Sequence, residues 1–101
     1  MNKREIETKI EKLLEDNFQE LYSVDENNAR ELFIDYLMNV ELGTKYYEIW
    51  CIEKANHYIY VVKPDAEYEL FVFVGDNKLY ERLVGTDEYL LKRIEFYLSL
   101  K

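Results

Sequence analysis

Tyr58-Ile59-Tyr60-Val61-Val62-Lys63-Pro64-Asp65-Ala66-Glu67-Tyr68-Glu69-Leu70-Phe71-Val72-Phe73-Val74-Gly75 is the stretch on which the fold turns. Two runs of aromatic and β-branched residues, the types that fit a pleated surface, flank a break at Pro64 to Glu67. Pro64 suits the first central position of a tight turn, where its fixed φ is needed. The same character continues outward in Tyr46 to Glu53 and in Leu79 to Val84. The breaks at Lys54-Ala55-Asn56-His57 and Gly75-Asp76-Asn77-Lys78 are also of hairpin length. The pattern predicts four strands in an antiparallel meander.

Helical periodicity flanks this region. From Lys3 to Tyr22 the apolar residues Ile6, Ile10, Leu13, Leu14, Phe18 and Leu21 recur at steps of three and four, which predicts an amphipathic helix. Ser23 and Glu26 then form a capping-box pattern ahead of a second series, Ala29, Leu32, Phe33, Tyr36, Leu37 and Val40, which stops at Gly43. After Gly85, Thr86 is the expected cap of a last helix, Asp87 to Leu100, with Leu90, Leu91, Ile94, Tyr97 and Leu98 on its apolar face. The predicted order is ααββββα, an α+β class, in one compact domain over residues 1–101.

Loops of four residues assign the faces of the sheet. They place Ile52 opposite Ile59, Val61 opposite Leu70, Ile59 opposite Val72, Val74 opposite Leu79 and Leu70 opposite Leu83. One face then carries Trp50, Ile52, Ile59, Val61, Leu70, Val72, Val74, Leu79 and Leu83. The other carries Ile49, Cys51, Tyr58, Tyr60, Val62, Phe71, Phe73, Tyr80 and Arg82. A solvated face would alternate with polar residues, so both must be covered. The last helix is expected over the aromatic face, and the first two over the aliphatic one. The alternative cover for Tyr58, Tyr60, Phe71, Phe73 and Tyr80 is a partner protein or a second copy of the chain, because Tyr and Phe suit interface cores.

Most catalytic chemistry lacks its residue types. His57 is the only histidine and Cys51 the only cysteine, so a closed zinc site of four Cys/His ligands cannot be assembled. A Cys51–His57 dyad would need side chains on different rungs of a hairpin to meet. The three glycines, Gly43, Gly75 and Gly85, are isolated, so no phosphate-cradling loop is present. No catalytic residue, metal ligand or cofactor is assigned.

Charge is the remaining signal. The chain carries a net charge of −8, and residues 1–42 hold 11 acids against 5 bases. This excludes non-specific binding to nucleic acid, which needs Lys and Arg against phosphates, and disfavours an anionic membrane surface. In the helix series Glu7, Glu11 and Glu15 stand four apart, as do Asp16 with Glu20 and Glu31 with Asp35. Like charges at that spacing cost about 0.2–0.5 kcal/mol per pair. Successive members of such a row rise roughly 6 Å along the axis, broadly the spacing of backbone phosphates. These seven residues are the expected contact surface for a basic partner protein, one that in turn could be a nucleic-acid binder.

A small acidic domain without catalytic residues is similar in kind to bacterial immunity proteins and phage-encoded inhibitors of host defence. The leading expectation is a non-catalytic protein-binding module acting as an inhibitor. The alternatives are a homodimeric structural or regulatory module closed through the aromatic face, and a small metal-dependent enzyme with a carboxylate site. No apolar signal region follows Met1, and a cytoplasmic location is expected.

Overall fold

The computed structural model of the chain describes residues 1–21, 48–63, 67–75 and 78–101. The second helical series, Ala29 to Val40, lies outside the described residues. So do its Ser23 cap, its Gly43 stop, and Pro64. The elements in chain order are α1 (Lys3–Asn17), β1 (Gln19–Leu21), β2 (Glu48–Lys54), β3 (His57–Lys63), β4 (Tyr68–Val74), β5 (Lys78–Gly85) and α2 (Glu88–Leu98). The fold is α+β, and the described residues form a five-stranded sheet in sequential order, antiparallel throughout. No helix among the described residues is long and apolar enough to cross a membrane.

α1 starts where Asn2 caps it, its side chain accepting from the Glu5 N–H at 2.9 Å. It ends earlier than the periodicity predicts. Phe18 is extended, and Gln19-Glu20-Leu21 forms an additional strand paired with Cys51, Trp50 and Ile49. Pairing to β2 supplies backbone hydrogen bonds that override a helical spacing carried only by Phe18 and Leu21. Glu20 is thereby removed from the helix, and the Asp16–Glu20 row does not form.

The first hairpin is tighter than a four-residue loop. Lys54 pairs with His57, leaving only Ala55 and Asn56 in the turn, with φ of 50° and 62°. Two consecutive left-handed residues give the turn whose twist matches the flanking strands. The predicted register survives, because trimming a loop by one residue at each end keeps the same pairs: Ile52 with Ile59, then Ile59 with Val72 and Val61 with Leu70.

Between β4 and β5 the register holds from Gly85 to Glu81 and then shifts. Leu70 pairs with Leu83 and Val72 with Glu81, but Phe73 pairs with Leu79 and Val74 with Lys78. Tyr80 is the extra residue of a bulge, which breaks the side-chain alternation. Leu79 is therefore on the aromatic face rather than the aliphatic one. The Tyr80 ring, expected on the aromatic face, lies instead 6.1 Å from the His57 ring, which stands 5.8 Å from Tyr97 of α2.

Both described helices pack on the aliphatic face. Ile6, Ile10, Leu14 and Phe18 from the α1 side join Leu90, Leu91, Ile94 and Tyr97 from α2 over Ile59, Val61, Leu70 and Val72. The expectation that the last helix covers the aromatic face is thus corrected. Glu81 shares a face with Val72 and is held by Arg93 and Tyr97, which fixes the side to which α2 returns. The turn depends on Gly85, whose φ of 150° strains any other residue, and where a Cβ would stand 3.2 Å from an Asp87 carboxylate oxygen. Asp87, not Thr86, caps α2, accepting from the Leu90 N–H at 2.8 Å.

On the other face Ile49, Cys51, Tyr60, Val62, Phe71 and Phe73 form a second buried cluster, with Tyr58 packed against it. Among the described residues this cluster contains strand side chains only.

Candidate functional site

The acidic surface is built on α1. Glu11 and Glu15 are exposed, one helical turn apart, while Glu7 is half-buried. Asp16 is exposed and ion-paired with Lys12 at 3.2 Å, which offsets part of the like-charge cost of the row. Glu11 and Glu15 do more than face water. With Leu14, Trp50, Lys63 and Tyr68 they line a recess of about 190 Å³. Trp50 comes from β2 and is half-buried, and the Lys63 ammonium is laid over the Tyr68 ring at 5.2 Å. Glu20, moved into β1, is directly opposite Trp50 in the register and so shares its face of the sheet. Glu31 and Asp35 lie outside the described residues.

The structure thus brings Glu11, Glu15 and Glu20 to the neighbourhood of one indole, sets Asp16 apart with Lys12, and leaves Glu7 partly covered. Two carboxylates beside a tryptophan ring can receive a cation in two ways. The carboxylates accept its N–H donors, and the ring face attracts its charge. Trp50 was not among the residues singled out by charge spacing. The signal that points to it is its place on the aliphatic face, which strand alternation predicts.

The aromatic candidates are mostly interior. Tyr60, Phe71 and Phe73 are buried, Tyr58 is half-buried, and Tyr80 is the exposed residue of the bulge. Tyr60 and Phe73 meet edge to face at 5.9 Å. Cys51 is buried in this aromatic cluster, whereas the His57 ring packs against Tyr97 on the helical side. The two side chains of the considered dyad are therefore on opposite faces. His57 Nδ1 donates to the Ala55 carbonyl at 2.6 Å. Among the described residues no three Cys, His, Asp or Glu side chains converge as a metal site.

A polar cluster that charge spacing did not indicate lies between β5 and α2. Arg93 donates to both Glu81 carboxylate oxygens, at 2.7 and 3.0 Å, and Tyr97 donates its hydroxyl proton to the same group. Burial alone would push the Glu81 carboxyl up, but the bonds from Arg93 and Tyr97 and the guanidinium charge outweigh it and hold it below its ordinary value. Burial, then the bond to Glu81, pushes the Tyr97 phenol up. The bond to Glu81 also raises Arg93, whose guanidinium stacks over the Phe96 and Tyr97 rings at 4.6 and 5.2 Å. Each member satisfies the others, which is the arrangement of a structural clamp. The sequence signal for it is an Arg93–Tyr97 spacing of one turn and a carboxylate, Glu81, that strand alternation sets between Leu79 and Leu83.

No protein-family model, no curated protein and no solved structure matches this chain.

Proposed function

We propose that the domain is a protein-binding module that takes a basic partner on the α1 surface and acts by occupying it, as an inhibitor does. The observation that carries this reading is the meeting of Glu11, Glu15 and Trp50 around one recess. A row of carboxylates draws a positive surface in from a distance, and an indole beside them supplies contact once water is expelled. The partner chemistry that fits is a lysine or arginine side chain projecting from a positively charged face.

The test starts from affinity capture of the partner and then measures association kinetics. Glu11→Lys combined with Glu15→Lys is expected to slow association at least about tenfold at low salt, with the fold intact, because steering acts on the on-rate. The wild-type rate is expected to fall steeply as ionic strength rises. Trp50→Ala is expected to act on dissociation instead. An association rate that is unchanged in the double variant and insensitive to salt rejects the reading.

A further inference from the structure

We infer that β5 is a homotypic pairing edge, through which two copies of this chain join their sheets antiparallel across a two-fold axis. This surface is independent of the acidic one. Every exposed large hydrophobic side chain among the described residues, apart from Met1, belongs to β5 or α2: Leu79, Tyr80, Val84, Tyr89 and Phe96. Among the described residues the sheet ends at β5, an eight-residue strand, whereas its other end, β1, has three residues. A long terminal strand with exposed apolar side chains is a template for another strand.

Proteins usually blunt such an edge with charge. Here the two interior charges of β5 are neutralised within the chain. Glu81 is held by Arg93 and Tyr97, and Arg82 lies 3.3 Å from Glu69 with its guanidinium over the Phe71 ring. In a chain of net charge −8 this leaves Glu81 to Gly85 a stretch whose charges are paired, with Lys78 exposed at the far end of the strand. Paired charges and exposed apolar side chains in this stretch suit a copy of the same strand better than a partner selected by charge.

The match has a definite register. A two-fold axis normal to a sheet must pass between like residues, so that the same face meets the same face. The bulge at Tyr80 leaves Glu81 to Gly85 as the regular stretch, in step with β4 from Val72 to Tyr68. Centring on Glu81 or Arg82 would set like charges opposite each other, which is destabilising. Centring on Leu83 uses all five residues. It sets Leu83 beside the partner's Leu83, Arg82 opposite the partner's Val84, and Glu81 opposite the partner's Gly85. Val84, 58% exposed in the single chain, then has a neighbour on each side.

Sedimentation equilibrium on the full chain decides the matter. Between about 1 and 500 µM the mass is expected to double from 12.3 kDa, as mass action requires. Val84→Lys is expected to raise the midpoint concentration at least about tenfold, with an unchanged far-ultraviolet spectrum. Leu83→Cys is expected to give a covalent dimer on air oxidation, while the buried Cys51 stays unlinked. If Val84→Lys does not fold, the cysteine variant carries the test. A chain that remains monomeric at every concentration overturns the inference. So does a dimer that Val84→Lys leaves intact and that Leu83→Cys does not cross-link.

Discussion

On the α1 side of the sheet, Glu11 and Glu15 are exposed beside a half-buried tryptophan. On the β5 side, Glu81 is enclosed by Arg93 and Tyr97, Arg82 is tied to Glu69, and the exposed side chains are apolar. The same residue types do different work in the two places. An exposed carboxylate contributes little to stability but projects a field; an enclosed one projects little field but fixes geometry. The regions should therefore respond in opposite ways to the removal of charge.

The largest difference is expected at Glu81. Glu81→Ala leaves a guanidinium and a phenol without their acceptor, and should destabilise the fold by about 2–4 kcal/mol in urea unfolding, the range for breaking a partly buried network. Glu11→Ala on the other side should stay within about 0.5 kcal/mol of wild type. Equal effects would erase the distinction between the two regions.

The pH profile sharpens the same comparison. Because Glu81 titrates lower in the folded state, its stabilisation is fully present above the ordinary carboxylate pKa and is lost as pH falls below it. Because Tyr97 titrates higher in the folded state, its contribution is present below the ordinary phenol pKa and is lost as pH rises above it. The slope of each limb has an upper limit of about 1.4 kcal/mol per pH unit, the value for one exchanged proton. Tyr97→Phe should flatten the alkaline limb and Glu81→Gln the acidic one. The profile of the Glu11→Gln chain should retain both.

Helix caps give an intermediate effect. Asp87→Ala removes the acceptor of the Leu90 N–H and should cost about 1 kcal/mol. Asn2→Ala does the same at α1 and should cost a similar amount, so a much smaller loss there would mean that α1 is held by its apolar stripe alone. The smallest effect, and the one of opposite sign, is expected for Glu11→Lys. It places a cation one turn from both Glu7 and Glu15 and should raise stability by about 0.2–0.5 kcal/mol per pair. A gain in stability accompanied by loss of partner association would be the signature of a surface whose charge serves binding.

Much of the sheet was legible because alternation is a local property. Ile52 opposite Ile59, Val61 opposite Leu70 and Leu70 opposite Leu83 follow from loop lengths counted along the chain. What escaped depends on long-range contact. Phe18 and Leu21 fit a helix until β2 offers Gln19 to Leu21 a partner. The bulge at Tyr80 leaves no mark in composition, and it moved both Tyr80 and Leu79 across the sheet. The side taken by α2 goes with the packing of Leu90, Leu91, Ile94 and Tyr97 on the aliphatic face and with the bond between Glu81 and Arg93, residues twelve apart in sequence. The carboxylate row was visible in the candidate site, but Trp50 was not, since its proximity to Glu11 and Glu15 exists only after α1 docks.

The sequential strand order has a consequence for the route by which the molecule folds. The β2–β3, β3–β4 and β4–β5 pairs are each joined by a short connection, so their association closes small loops at little entropic cost. The pairing of Leu21 with Ile49 joins segments far apart in the chain and closes a much larger loop. Formation of the meander is thus expected to precede arrival of the α1–β1 segment, in keeping with the slowing effect of non-local contacts. The recess around Trp50, lined by Glu11, Leu14 and Glu15 of α1, is then expected to be completed only at that last step.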